Sequence, residues 1–275
     1  MTPLVLLSRF CPQGTLFAKL EMHNPTGSVK YRAAKAMLDH QRRIGNLTPG
    51  STILEATSGN MGIALAALCA REGLRCILVM PHNQSPQRSL LMKVYGAQVI
   101  CIGDTMPEAV RHCQHLATHI PGAVYLRQFE NPANVQAHFE STGPELLQQC
   151  PHIDLFVAGV GTGGTLTGVG RYLKSHRPDV EIWAVEPAQP GQIPGIGAGF
   201  VSPILDLSLP DGICAVSLQD ALHTQQALAK TEGIFVGPSA GAALFVANQL
   251  AAKPENAGKA VVALAPDSGE RYLTI

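Results

Sequence analysis

Val157-Ala158-Gly159-Val160-Gly161-Thr162-Gly163-Gly164-Thr165 is the stretch on which the reading of the fold turns. Its apolar start reads as the end of a β-strand, and from Leu166 the chain carries helical periodicity, so the glycines lie between a strand and a helix. Unpaired amides converge at such a helix entrance, where the macrodipole is positive, and an anion such as phosphate fits there. Glycine allows positive φ and lets the anion approach without a Cβ in the way, while Thr162 and Thr165 add hydroxyl donors. A tight structural turn would need fewer glycines than Gly159, Gly161, Gly163 and Gly164 together.

The same alternation extends in both directions. Thr52 to Glu55, Cys76 to Met80 and Gln98 to Ile102 read as strands, followed by helical runs at Gly62 to Glu72, Gln87 to Tyr95 and Pro107 to Ala117. Beyond the glycine turn come helix Leu166 to His176, strand Ile182 to Glu186, helices Ala221 to Glu232 and Ala240 to Ala252, and strand Ala260 to Ala265. Strand and helix repeated this often imply an α/β fold with doubly wound parallel sheets. Pro187 to Gly212 is rich in Gly and Pro and too long for an ordinary connection, which suits an active-site loop or, equally, a surface excursion.

Two further turns resemble the first. Glu55-Ala56-Thr57-Ser58-Gly59-Asn60-Met61-Gly62 groups Thr57, Ser58 and Asn60 around a glycine at a helix entrance and could grip a carboxylate; as an N-cap, one of them would suffice. Gly237-Pro238-Ser239-Ala240-Gly241 offers one hydroxyl, which could be a simple N-cap. The spacing Gly159-x-Gly161-x-x-Gly164, with Glu186 ending the next strand, also satisfies a dinucleotide fingerprint, and local spacing does not separate that reading from a simpler phosphate site.

Composition narrows the field. The 275 residues carry 20 basic and 20 acidic side chains, so no long-range field favours nucleic acid or anionic lipid. Hydrophobic residues make up 46% and charged ones 15%, the balance of a globular protein with a substantial core. The apolar run Gly62 to Ala70 stops at Arg71, short of a membrane span, and Pro3 to Leu7 is too short for a signal sequence, which makes the cytoplasm the default. Seven cysteines without a C-x-x-C pair suggest reduced thiols. His112, His115 and His119 share one side of a helix, but no carboxylate or second cluster completes a metal site, and none is expected.

Asn24-Pro25-Thr26-Gly27-Ser28-Val29-Lys30, with Arg32 following, resembles the lysine motif of the cysteine synthase and cystathionine β-synthase family of fold-type II pyridoxal-phosphate enzymes. Thr57-Ser58-Gly59-Asn60 is similar to that family's asparagine loop and Gly161-Thr162-Gly163-Gly164-Thr165 to its phosphate loop. Gln128-Phe129, Asn131-Pro132-Ala133-Asn134, Gly195-Ile196-Gly197-Ala198-Gly199-Phe200 and Gly269-Glu270-Arg271-Tyr272-Leu273 continue the likeness in order along nearly the whole chain.

The resemblance implies a tryptophan-synthase-β-like architecture of two doubly wound parallel-sheet domains. Residues 24–131 would form a smaller mobile domain, and residues 1–23 with 132–275 the larger, phosphate-binding one. It implies pyridoxal 5′-phosphate joined to Lys30 as a Schiff base, its phosphate held by Gly161, Thr162, Gly163, Gly164 and Thr165. Asn60 would meet the ring hydroxyl and Ser239 the pyridine nitrogen, where a hydroxyl makes the ring a restrained electron sink and favours β-elimination over transamination. The substrate carboxylate would lie on Thr57, Ser58, Gly59, Met61 and Gln128. Lys30, once displaced, would serve as general base, and an enzyme-bound α-aminoacrylate would await a nucleophile. O-acetylserine plus sulfide giving cysteine is the first expectation, with a homodimer and a serine acetyltransferase-like partner also implied.

Two positions depart from the family pattern. Tyr31 stands where relatives usually carry Asp, and Met61 where they usually carry Thr, whose hydroxyl would add a charge-assisted hydrogen bond to the substrate carboxylate. The leaving group and nucleophile therefore stay open to O-phosphoserine, homocysteine or another amine. Outside this class stand a nicotinamide-dependent oxidoreductase and a catalytically idle relative that binds a partner through its cleft.

Overall fold

The computed structural model describes residues 1–273. In chain order its strands and helices are β1 (Leu4–Leu6), β2 (Thr15–Leu20), α1 (Lys30–Arg43), β3 (Thr52–Ala56), α2 (Asn60–Glu72), β4 (Arg75–Met80), α3 (Pro86–Val94), β5 (Gln98–Cys101), α4 (Met106–His119) and β6 (Ala123–Tyr125). There follow α5 (Pro132–Ala137), a π turn at His138–Thr142, α6 (Gly143–Gln149), β7 (Ile153–Gly159), α7 (Gly164–His176), β8 (Glu181–Pro187), β9 (Gly212–Val216), α8 (Leu218–Glu232), α9 (Pro238–Ala251) and β10 (Ala260–Ala265).

Two sheets result. One has six strands in the order β1-β2-β10-β7-β8-β9, and the other four in the order β5-β4-β3-β6. All pairings are parallel except β1 with β2. The chain begins in the larger sheet, builds the smaller one from β3 to β6, and returns with β7. The α/β class and parallel sheets are as the sequence implies.

The central strands explain this architecture. Phe156, Val157 and Ala158 of β7, Val261 to Ala265 of β10, and all of β3 are buried, as a parallel sheet covered on both faces requires. Helix α9 is apolar nearly all round and lies in the core against β10 and β7. The outer strands β1, β6 and β9, and β2 beside β1, carry too weak an alternation to be read from sequence. Residues 188–211 hold neither helix nor strand.

All seven cysteines are free thiols, five of them buried. No helix among the described residues is long and apolar enough to cross a membrane.

Charged side chains also lie inside. Lys19 and Glu21 are fully buried, and Arg32 bridges Glu21 (Nε to Oε2, 2.7 Å) and Glu145 (Nη1 to Oε1, 2.8 Å), while Lys19 Nζ reaches Glu145 at 2.8 Å. This network fastens β2 and α6 to the first turn of α1, whose opening residue is Lys30.

Candidate active site

The carboxyl ends of β3, β7 and β10 and the amino ends of α1, α2, α7 and α9 converge on a cavity of about 850 Å³, placed as ligand sites are in open α/β sheets. Lys30, Thr57, Ser58, Asn60, Met61, Gln128, Gly161, Thr162 and Ser239 all line it. Gly59, Gly163, Gly164 and Thr165 lie behind these residues, outside its wall. The loop residues Pro190 to Gly199 close one side, the placement expected of an active-site loop.

Lys30 opens α1 beneath this space. Burial pushes its amine below the ordinary lysine range, with the charge of Asp267 opposing the shift. A neutral amine is the form that attacks an aldehyde, so desolvation prepares this side chain for covalent capture.

The turn after β7 leaves amides free at the helix entrance. Among the described residues, neither a backbone carbonyl nor a side chain accepts from the amides of Gly161, Thr162, Gly163 or Thr165. Thr162 Oγ1 accepts from Gly164 N at 3.3 Å and from Asn134 Nδ2 at 3.1 Å, which leaves its own proton to donate. Two glycines here are obligatory: Gly163 has φ +83°, and a Cβ on Gly161 would lie 2.6 Å from the carbonyl oxygen of Gly195.

At the entrance to α2, Thr57 Oγ1 accepts from Gly59 N at 3.0 Å and Gly62 N at 3.1 Å, so Thr57 shapes the loop and keeps one proton to give. The amides of Ser58, Asn60 and Met61 have no protein acceptor among the described residues. Gln128 is buried, and its Nε2 donates to Ala56 O at 2.6 Å, with one N–H left over. Its backbone amide donates to Glu55 Oε2 at 3.1 Å. Asn60 Oδ1 accepts from Arg271 Nη1 at 2.6 Å, and Asn60 Nδ2 donates to Asp267. Ser239 follows Pro238 at the head of α9, and its hydroxyl forms no hydrogen bond among the described residues.

Sequence reasoning assigned no role to several groups found here. Asp267 is buried and lines the cavity; Tyr272 donates to its Oδ2, and Oδ1 has no partner. Burial pushes this carboxyl up, against the hydrogen bonds from Tyr272 and Asn60. Arg88 of α3 donates from Nη1 to Ser58 O at 2.9 Å and lies over the ring of Tyr272. Thr26 Oγ1, Ser28 Oγ, Arg88 Nε and Asp267 Oδ1 are the buried side-chain polar atoms without partners among the described residues. Two lie four and two residues before Lys30, and two belong to cavity-lining residues. Such a concentration of unmet groups is what a bound polar ligand would satisfy.

An amine held in low dielectric at one end of the cavity and a set of free amides at the helix entrance suit an aldehyde bearing a phosphate. The family model described as pyridoxal-phosphate dependent enzyme matches residues 1–267. The chain belongs to this family. Pyridoxal 5′-phosphate is accordingly the enzyme's cofactor.

The enzyme is 43% identical over 289 residues to the cysteine synthase of Staphylococcus aureus, an alignment that covers 99% of this chain and 93% of that one. Its structure is similar to that of an O-ureido-L-serine synthase, with a TM-score of 0.95, 38% identity, and coverage of 100% of this chain and 91% of that one. O-acetylserine sulfhydrylase isoform 3 of Entamoeba histolytica superposes with a TM-score of 0.94 at 37% identity, over 100% of this chain and 88% of that one. The enzyme therefore has the fold-type II architecture of the cysteine synthase group.

Proposed function

We propose that the enzyme is a cysteine synthase that replaces the acetoxy group of O-acetylserine with sulfide, giving cysteine and acetate. The observation that carries this reading is the meeting, at one cavity, of the desolvated Lys30 amine, the free amides of Gly161 and Thr162 with those of Gly163 and Thr165 behind them, and the free amides of Ser58, Asn60 and Met61.

When bound, the cofactor supplies an electron sink for charge released at the substrate's α-carbon. Lys30 holds it, and the turn from Gly161 to Thr165 takes its phosphate. Ser239 meets the ring nitrogen with a neutral hydroxyl, and Asn60, oriented by Arg271 and Asp267, faces the ring hydroxyl. The substrate carboxylate accepts from the hydroxyls of Thr57 and Ser58, the loop amides around Gly59 and Met61, and the spare N–H of Gln128. Once the substrate amine displaces it, Lys30 takes the α-proton on its neutral nitrogen, acetate departs from the β-carbon, sulfide adds there, and Lys30 returns the proton to the α-carbon.

The charge of the cavity favours an acetylated over a phosphorylated donor. Of the residues lining it, only Lys30 and Arg88 are cationic, and Arg88, which donates from Nη1 to Ser58 O and lies over the Tyr272 ring, keeps, of its buried nitrogens, only Nε without a partner among the described residues. Residues 187–212 contain no Lys or Arg to meet a phosphate leaving group.

The same reading takes residues 24–131, which contain the four-stranded sheet, as the body that closes on residues 1–23 and 132–275. It extends to a cytoplasmic homodimer and to docking of a serine acetyltransferase-like partner.

Borohydride reduction of the cofactor-loaded enzyme followed by peptide mass analysis is expected to place a pyridoxyl group on Lys30. Incubation with O-acetylserine and sulfide is expected to yield cysteine. An adduct elsewhere overturns the site; a Lys30 adduct without cysteine formation overturns the reaction and favours the catalytically idle relative.

A further inference from the structure

The hydroxyls of Thr162 and Thr165 are both held from outside their own turn. Asn134 of α5 donates from Nδ2 to Thr162 Oγ1 at 3.1 Å, and His138, at the start of the π turn, places Nε2 3.2 Å from Thr165 Oγ1. The two holders are four residues apart and lie along one side of a continuous helical segment. That segment packs against α7 at van der Waals distance because α7 presents glycines to it. A Cβ on Gly164 would fall 2.2 Å from Asn134 Oδ1, and one on Gly168 would fall 2.3 Å from Val135 O and 2.7 Å from the Cβ of His138. Larger residues at either position would push the holders off the hydroxyls.

Hydrogen-bond bookkeeping fixes the direction of the bond to Thr162. Thr162 Oγ1 already accepts two N–H groups, so its proton points away from both. For His138, the other ring nitrogen, Nδ1, lies 2.9 Å from Thr142 Oγ1. With Thr142 donating to Nδ1, the neutral imidazole carries its proton on Nε2 and donates to Thr165, whose own proton is then free for an anion. Burial, aided by the charges of Lys30 and Arg32, pushes the ring down to about 3, so it stays neutral across the working range. The π turn serves this arrangement by setting Thr142 against the same ring that reaches Thr165.

We propose that His138 is a positioning residue for the cofactor's phosphate, aiming the Thr165 hydroxyl at it as Asn134 aims that of Thr162. This rests on the placement of the phosphate at the Gly161 to Thr165 turn. His138 touches neither substrate nor cofactor and acts through Thr165 alone.

The test titrates full-length apoprotein with pyridoxal 5′-phosphate and, separately, with pyridoxal, which lacks the phosphate. His138→Asn, which keeps a partner for Thr142 but cannot reach Thr165, and Thr165→Val are each expected to weaken the phosphorylated ligand about tenfold and to leave pyridoxal within about twofold. The double variant is expected to be no weaker than the worse single one. His138→Gln, whose amide N–H reaches the place of Nε2, is expected to restore most of the loss.

Equal losses for both ligands, an additive double variant, or unaltered binding in His138→Asn would overturn the proposal. If Thr165→Val discriminates between the ligands and His138→Asn does not, only the positioning role falls. If neither Thr165→Val nor Thr162→Val discriminates, the phosphate placement falls with it. Should the His138 variants not fold, the same cycle on Asn134→Ser and Thr162→Val decides by the same criteria.

Discussion

Arg271 donates from Nη1 to Asn60 Oδ1 at 2.6 Å, joining the last turn of the described chain to the head of α2 across the lysine cavity. The same guanidinium donates from Nη2 to the carbonyl of Thr26, four residues before Lys30. One side chain thus sets both the residue assigned to the cofactor's ring hydroxyl and the segment that carries the lysine. Arg271→Met keeps the stem and removes both bonds. Its kcat is expected to fall about tenfold to a hundredfold, because small misplacements of reacting groups cost about that much. The visible absorption of the bound cofactor should shift as well. Steady-state kinetics and a spectrum of the holoenzyme check this, and an unchanged spectrum would separate Arg271 from the ring.

Glu145 gives the fold a defined acid limit. Burial pushes its carboxyl up, but hydrogen bonds from Arg32 and Lys19 outweigh that and hold it down at about 2, against 4.5 for the free side chain. The unfolded chain therefore binds this proton first as pH falls, and the stability supplied by Glu145 is complete above pH 4.5 and lost progressively down to about 2. Urea unfolding between pH 6 and pH 3 should show that loss, and Glu145→Gln should flatten it. Arg32→Met, which leaves Glu21 buried without its partner, is expected to cost about 3–5 kcal/mol at neutral pH.

What could be read from sequence follows from where each signal lies. The phosphate turn and the asparagine loop announce themselves because glycines and hydroxyls cluster within a few residues and flank strong strand and helix periodicity. Asp267, Arg88, Asn134 and His138 gave no such signal, since each acquires its role from an element remote in sequence: Asp267 from Asn60, Arg88 from Ser58, His138 from Thr165. Lys19 near the end of β2 and Glu21 just beyond it carry no such signal either, because charged residues normally face water, and only the later arrival of Arg32 and Glu145 permits their burial.

Met61 lines the cavity while its side chain is 2% exposed and packs with Ala33 and Met92 in the core of the smaller sheet. Met61→Thr places a hydroxyl beside the loop proposed to take the substrate carboxylate and leaves a void where the thioether was. The variant is expected to lower KM for O-acetylserine about tenfold with kcat little changed, as for an interaction made equally in ground and transition states. It should lose about 1–3 kcal/mol of stability. Kinetics and urea unfolding measured together check both parts, and an unaltered KM would place the side chain at position 61 out of reach of the carboxylate.

Glu55 works on pH in the opposite sense to Glu145. Burial pushes its carboxyl up to about 8, despite the amides of Ala56 and Gln128 that donate to it, so the folded enzyme holds a neutral acid beneath Gln128, the residue proposed to meet the substrate carboxylate. The unfolded chain releases that proton near pH 4.5. Between that point and about pH 8, unfolding sheds a proton, and this group's contribution to stability falls as pH rises, levelling off once the folded form also ionises. Glu55→Gln cannot titrate, but its amide nitrogen must face one of the two donating amides, and losing that bond costs about 1–3 kcal/mol. The wild-type enzyme should therefore lead the variant at pH 5 and lose that lead before pH 8, since three pH units are worth about 4 kcal/mol. Urea unfolding at several pH values across this range checks the convergence, and parallel curves would mean that Glu55 is already ionised in the folded state.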